Sequence, residues 1–251
     1  MTARNKIQLE IVCTNIESVV TSNENGADRI ELCASLSVGG LTPSYGLIQT
    51  ARKIFSTGLF VLIRPREGDF LYSDEEFEII KRDIGICKEL KADGVVVGFL
   101  NPDGTIDKKR LAEIVNLARP MSVTFHRAFD LAKDAEASME DIISCKCDRI
   151  LTSGQKQTAI DGAGLIQFLI QKAAGRIIIL PGSGIRPGNV AALVKKTGAV
   201  EVHSSASGPG KSKMEFSGSP VRMGSGEGPE VIQIADPGLI RQLRLELNNF
   251  S

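Results

Sequence analysis

The chain has 251 residues, 42% of them hydrophobic, and its 30 basic side chains balance its 30 acidic ones. This neutral composition argues against a nucleic acid or an acidic membrane as partner, because neither would be attracted electrostatically. No apolar run approaches the ~20 residues of a membrane span, and the polar first segment leads us to expect no signal peptide. Five cysteines without the density of a disulfide scaffold favour a reduced, cytoplasmic protein.

Short apolar strands alternate with helical segments along the whole chain. Strands are predicted at 7–13, 29–34, 60–64, 94–100, 121–125, 149–152, 176–180 and 200–204. Helices are predicted near 15–25, 45–55, from 74, at 107–118, 138–144 and 162–174, from 187, and at 236–248. Eight such units predict a single-domain (β/α)₈ barrel of the TIM type over 1–251. No Gly-rich dinucleotide fingerprint follows the first strand, which disfavours an open doubly wound sheet and a nucleotide cofactor.

The segment 205–230 departs from this alternation. It is rich in Gly, Ser and Pro, and we expect it to be a long excursion before the last helix. Asp236 and Pro237 then suit the N-cap and the first position of that helix.

Polar side chains recur at the predicted strand ends, where barrels of this type carry their active sites. His126 lies in the octapeptide 123–130 together with Arg127 and Asp130, a combination that suits proton transfer and anion binding. Taken singly, such charges can be structural ion pairs at a solvated strand end, but their clustering at one rim favours a ligand site. The predicted catalytic set is Glu10, Glu31, Arg64, His126, Arg127, Asp130 and His203.

A glycine-rich turn follows the seventh predicted strand. Glycines let the backbone approach an anion closely, and the helix start behind them offers free N–H donors. Loops after strands seven and eight are the usual phosphate site of these barrels. The candidate anion site is Gly182, Ser183, Gly184 and Ser204, and a plain tight turn is the alternative.

Two cysteines, Cys13 and Cys33, lie at the ends of adjacent predicted strands. Two thiolates can hold Cu(I) in two-coordinate geometry. From the residues alone, two small buried core side chains are the simpler interpretation, since free cysteine usually packs in that way. Cys145 and Cys147 precede the sixth strand, at the end of the barrel opposite the candidate site.

Six stretches together indicate a family. They lie at 26–33, 39–44, 63–74, 124–130, 150–154 and 201–206, and cover nearly the whole chain. With these motifs the chain resembles the CutC family, which is named for copper homeostasis. One departure is Glu67, where the family's loop commonly has glycine.

The resemblance implies a TIM-type barrel, a cytoplasmic setting, a homodimer or larger homo-oligomer, and a role in handling copper. It also implies that Cys13 and Cys33 are the Cu(I) ligands. We therefore expect a copper homeostasis protein of the CutC type that binds Cu(I) in the cytoplasm. The competing hypothesis, which accounts for the charged rim, is a lyase, isomerase or hydrolase acting on a small anionic or phosphorylated metabolite at the barrel mouth.

Overall fold

Eight short parallel strands stand around a common axis in the computed structural model, which describes residues 6–216 and 231–250. They are β1 (Gln8–Cys13), β2 (Arg29–Leu32), β3 (Leu59–Leu62), β4 (Gly94–Val97), β5 (Ser122–Phe125), β6 (Arg149–Thr152), β7 (Ile178–Pro181) and β8 (Glu201–Ser204). Each strand pairs with the next, in the order β8, β1, β2 and so on to β7. Contacts between β7 and β8 complete the barrel. The predicted (β/α)₈ barrel is confirmed.

Helices follow the strands in alternation. In the described part of the chain they are α1 (Ile16–Glu24), α2 (Tyr45–Ile54), α3 (Asp74–Glu89), α4 (Lys108–Ala118), α5 (Ala135–Ser144), α6 (Ala163–Ala173), α7 (Val190–Thr197) and α8 (Pro237–Asn248), with 3₁₀ turns at Leu36–Val38 and Arg127–Leu131. The helix predicted at 138–144 begins three residues earlier, because the Asp134 side chain caps it by accepting from the Ala137 N–H at 2.8 Å.

Successive side chains along each strand point alternately outward, towards the helices, and inward, into the barrel. Outward side chains such as Leu9 and Ile11 join the large core between the strands and the helices. Inward side chains form a smaller apolar cluster that contains Val12, Phe60 and Leu62. Buried charged side chains on the same faces, among them Arg29, Glu31 and Glu201, make the rest of the barrel interior polar.

A second, two-stranded sheet lies beside α1. Its strands are β9 (Ser207–Lys211) and β10 (Val231–Ala235), which pair antiparallel. Asn15 Nδ2 donates to the Gln233 carbonyl at 3.0 Å and so links α1 to β10. The predicted excursion at 205–230 therefore contains a strand at its start, while its residues 217–230 lie outside the described residues.

Among the described helices, none has the length and apolar composition needed to span a membrane.

Candidate functional site

A cavity of about 290 Å³ opens where the strands end. This is the end at which (β/α)₈ barrels carry active sites. The predicted site residues that line it are Glu31, Arg64, His126, Arg127, Ser183, Gly184, His203 and Ser204. Sequence reasoning missed Phe70 and Arg186, which also line it; neither lies at a strand end, so the rule that found the others did not reach them.

The centre of the site is a buried group of two carboxyls and one imidazole. Glu10 Oε1 lies 2.6 Å from His203 Nδ1, and ligand-type atoms of Glu10, Glu31 and His203 all lie within 4.8 Å of one another. The contact through Nδ1 leaves the opposite ring nitrogen, Nε2, for the cavity that His203 lines. A carboxylate that fixes an imidazole in this way prepares its other nitrogen for proton transfer.

Beneath this group a chain of buried charges continues down the barrel. Arg29 donates to Glu10 through Nε and to Glu201 through Nη2, the second bond at 2.6 Å. Arg149 Nε also donates to Glu201, at 2.8 Å. Arg29 was not predicted as a site residue because it begins its strand, yet it shares a face with Glu31, and that spacing was the available signal.

These neighbours shift the acidities in different directions. Burial alone would raise the pKa of Glu10, but the Arg29 guanidinium and the His203 ring lower that pKa to about 2. Burial, helped by the Glu10 charge, raises the pKa of Glu31 to about 7 against the opposing effect of His203 and Arg29. Burial alone would lower the pKa of His203, but Glu10 and Glu31 raise it. Glu31 and His203, which both line the cavity, thus form an acid–base pair whose members shift each other's pKa.

His126 is a neutral imidazole with one unused donor. Its Nδ1 accepts the Ala128 N–H at 3.1 Å, so the ring proton resides on Nε2. Burial and the Arg64 charge lower the pKa of His126 to about 3. Its Nε2 is buried and has no hydrogen-bond partner among residues 6–216 and 231–250. Gly98 leaves room for the ring, since a Cβ there would collide with it.

Arg64 is a buried cation without a carboxylate partner in the described chain. Its Nη1 donates to the carbonyls of Val38 at 2.8 Å and Gly40 at 2.9 Å, and its Nη2 donates to that of Gly68 at 2.8 Å. The guanidinium lies over the Phe70 ring at 5.0 Å. Its Nε has no partner within those same described residues. Three carbonyls and an aromatic ring thus hold this buried charge, and no carboxylate of the described chain neutralises it.

Asp130 lies behind the mouth rather than in it. Its carboxylate accepts from the Thr152 hydroxyl at 2.5 Å and the Ser153 N–H at 3.0 Å, and it accepts from Arg127 Nε at 2.7 Å. These bonds hold the loop after β6 and orient Arg127 towards the cavity. Asp130 therefore positions Arg127 and the loop after β6.

The turn after β7 lines the cavity through Ser183, Gly184 and Ile185. In the described residues, the N–H groups of Gly184 and Ile185 donate to no acceptor. The hydroxyls are engaged, since Ser183 Oγ donates to the Gln157 carbonyl at 2.8 Å and Ser204 Oγ to that of Ile185 at 2.7 Å. In this candidate anion site the available donors are therefore backbone N–H groups, and the two serines hold the loops in place.

Gly182 borders this site without lining the cavity. A Cβ there would lie 2.5 Å from Leu151 Cδ1 and 3.1 Å from His203 Cδ2. The glycine thus leaves space for the His203 imidazole.

The CutC family model matches residues 7–208. The chain belongs to the CutC family. It is 44% identical over 241 residues to a CutC family protein of Chromobacterium violaceum, with 96% of this chain and 98% of that protein covered. It is also 44% identical over 223 residues to a human copper homeostasis protein cutC homolog, covering 89% and 82%. A CutC crystal structure from Streptococcus agalactiae is 30% identical, with a TM-score of 0.76 over 79% of this chain and 98% of that one.

The two cysteines that the CutC resemblance implies as ligands lie on opposite faces of the strands. Cys13 packs in the outer core, with its Sγ 3.4 Å from Ser22 Oγ on α1. Cys33 packs in the inner cluster with Val12 and Leu62. Their backbones are adjacent, because the Cys33 N–H donates to the Cys13 carbonyl at 3.0 Å. The fold therefore brings the two residues together, with Cys13 in the outer core and Cys33 in the inner cluster.

Burial also disfavours thiolates at these positions. It raises the pKa of Cys13 to about 12, and it raises that of Cys33 further, with the Glu31 charge adding to the effect. Copper ligation needs the deprotonated form, so metal binding here would have to displace both protons.

Proposed function

We propose that the barrel mouth binds a small anionic molecule and transfers a proton on it, as a lyase, an isomerase or a hydrolase. One observation carries the proposal: the cavity is walled by side chains with buried polar atoms that lack partners in the described chain, Glu31 Oε2, Arg64 Nε and His126 Nε2. Each such atom costs about 1–3 kcal/mol when it stays unsatisfied. A polar ligand that supplied the missing partners would remove this cost.

The residues divide into two roles in this proposal. Arg64 and Arg127 supply positive charge for the anion, and the Gly184 N–H supplies a backbone donor. Glu31 and His203 move the proton, with Glu10 fixing the imidazole. Glu31 Oε2 has no bond to break before it acts, so it is the proposed first acceptor of the substrate proton.

Thermal-shift measurements test the binding step. The probes are inorganic phosphate, phosphoglycerate, ribose phosphate and the unphosphorylated sugars. We expect the phosphorylated probes to stabilise the wild type, and Arg127→Gln to weaken the effect. Arg176→Gln is the matched control, because Arg176 is paired with Glu140 on α5, away from the cavity. Equal shifts in both variants, or no shift with any anion, would contradict the proposal.

Turnover tests the proton-transfer step separately. For any probe that binds, Glu31→Gln and His203→Asn should lower the rate by about 10²–10⁴-fold, the usual contribution of a general acid or base. Binding should persist in both variants, because the proposal assigns the anion to Arg64, Arg127 and the Gly184 N–H, and the charge of His203 is paired with Glu10. Loss of binding together with the rate would instead assign these residues to the anion site.

Cu(I) binding by Cys13 and Cys33 is the second candidate. It is supported by the contact between their backbones and by the copper homeostasis name of the human relative. Because Cys13 packs in the outer core and Cys33 in the inner cluster, a shared Cu(I) ion would have to bridge the two faces of the strands. Such a site would operate in the reducing cytoplasm, which we propose as the setting because the five cysteines are unpaired.

Anaerobic Cu(I) competition against a calibrated chelator decides this candidate. A thiol pair predicts that Cys13→Ser and Cys33→Ser each lose as much affinity as the double variant. The Cys145→Ser, Cys147→Ser double variant is the matched control, since both of its thiols are also buried and free. Affinity unchanged in the Cys13, Cys33 double variant would exclude these residues as ligands.

The homodimer or larger homo-oligomer implied by the CutC resemblance stays a prediction. Light scattering coupled to size-exclusion chromatography measures it, and a mass of 27.0 kDa, that of one chain, would contradict it.

A further inference from the structure

The cavity wall has two groups of donors that differ in kind. At one side His126 lines the wall with a buried Nε2–H that has no partner among the described residues, beside the charge of Arg64. Both side chains contact the Phe70 ring, at 4.8 and 5.0 Å. The side chains of His126 and Arg64 are buried, each residue being 5% exposed. This group is called the head subsite below.

At the other side lie the loops after β7 and β8. Gly184 and Ile185 offer two successive backbone N–H groups without acceptors in the described residues, and Arg186 lines the same wall. Gly184 has a φ of +71°, a conformation that favours glycine and lets an anion approach the backbone closely. This group is called the tail subsite.

The two subsites suit different anions. Backbone donors in sequence, with arginines at their margin, match the several oxygens of a phosphate. Arg64 cannot clasp a phosphate with its fork, because its Nη atoms already donate to three backbone carbonyls. The head subsite therefore offers one imidazole N–H and one charge, which match the planar oxygen of a carbonyl or a carboxylate.

We propose that the mouth takes a two-ended molecule, with a phosphate in the tail subsite and a carbonyl or carboxylate oxygen in the head subsite. This inference rests on the proposed function and adds the substrate class to it. The cavity of about 290 Å³ lies at the small end of ligand pockets, roughly 300–1,000 Å³, which suits a short carbon chain with its phosphate. Glu31 and His203 line the same cavity, within reach of the carbons between the ends.

Calorimetric titration with one-ended and two-ended probes tests the proposal. The one-ended probes are inorganic phosphate and glycolate, and the two-ended probes are phosphoglycolate, phosphoglycerate and glyceraldehyde phosphate. We expect at least one two-ended probe to bind about tenfold or more tighter than phosphate, the gain that one charge-assisted hydrogen bond provides. Comparing the affinities of phosphoglycerate and glyceraldehyde phosphate shows whether the head subsite prefers a carboxylate or a carbonyl.

Variants at His126 show whether the head subsite causes the gain. His126→Leu should abolish the advantage of the two-ended probe while phosphate binds as before, and His126→Gln, which keeps an N–H donor, should retain part of it. If the leucine variant does not fold, Gly98→Ala replaces it, because its Cβ would displace the imidazole.

The outcomes separate this inference from the function on which it rests. Phosphate binding without any advantage for the two-ended probes, or an advantage that survives in His126→Leu, would overturn the two-ended ligand alone. Failure of phosphate and of every two-ended probe to bind would overturn the anionic mouth as well.

Discussion

His126 shows how a single backbone contact decides the chemistry of a side chain. The Ala128 N–H occupies Nδ1 at 3.1 Å and fixes the proton on Nε2, while Arg64 opposes a second proton. The ring is therefore a donor that stays neutral, and a neutral imidazole can polarise a carbonyl without acting as an acid. The sequence placed His126 at the mouth, but the tautomer follows from the 3₁₀ turn at Arg127–Leu131, which no strand-end rule predicts.

This environment predicts an acid-sensitive stability. The pKa of His126 falls from 6.5 to about 3 on folding, so the unfolded chain takes up the proton first as the pH decreases. The contribution of His126 is complete above pH 6.5 and declines below it, by about 2 kcal/mol on going down to about pH 5. Urea unfolding at several pH values measures the decline.

His126→Gln is the comparison that isolates this effect. Subtracting its pH profile from that of the wild type removes the contribution of His203, whose raised pKa acts in the opposite direction. Parallel profiles for wild type and variant would show that the folded ring takes up a proton as readily as the unfolded one.

Glycines in two elements illustrate opposite constraints. Gly85 lies inside α3, where a Cβ would meet nothing within 4 Å. Gly94 begins β4, where a Cβ would lie 2.5–2.7 Å from the Phe60 ring. Gly85 lowers the stability of the helix, and packing does not require it. Gly94 makes room for an aromatic ring that Arg29 and Arg149 both approach, at 4.9 and 5.3 Å.

The paired substitutions follow directly. Gly85→Ala should raise the free energy of unfolding by about 0.5–1 kcal/mol, because alanine restricts the unfolded chain and favours the helix. Gly94→Ala should lower it by about 1–3 kcal/mol through overpacking. Thermal or urea unfolding checks both, and a destabilised Gly85→Ala would mean that α3 packs differently at this position.

The elements also show where sequence reasoning succeeded and where it stopped. The strands were predictable because short apolar runs such as Val95-Val96-Val97, placed between helices, are typical of buried parallel strands. Proximity of the two strand ends predicted that Cys13 and Cys33 would be neighbours, but alternation places Cys33 on the face of Glu31 and Cys13 on the face opposite Glu10. The β9 strand was missed because Gly208, Pro209 and Gly210 are typical of turns.

At the scale of the whole molecule, one network of charges joins the interior of the barrel to its mouth. Arg149, Glu201, Arg29, Glu10 and His203 follow one another in contact through β6, β8, β2, β1 and back to β8. The charges of the two arginines balance those of the two glutamates, so the remaining charge of the buried group depends on the protonation of His203 and Glu31. Buried charges of this kind contribute little net stability but become costly when one partner is lost.

Arg29→Met tests this network. It should lower the free energy of unfolding by about 3–5 kcal/mol, because it leaves Glu10 and Glu201 buried beside a neutral side chain. Arg176→Met is the control, since it breaks an exposed pair with Glu140 and should change stability little. Similar losses in the two variants would show that the interior charges are no more coupled than those on the surface.

The most direct measurement uses the fact that the chain has only two histidines. Long-range proton–nitrogen correlation spectra resolve both imidazoles and report the tautomer and the protonation of each. We predict a neutral Nε2–H form for His126 at neutral pH, and movement of both ring signals along one saturation curve as a phosphate-bearing probe from the panel is added. A protonated His126, or two rings that stay unmoved with every phosphate-bearing probe, would contradict the account of the barrel mouth as an anion site.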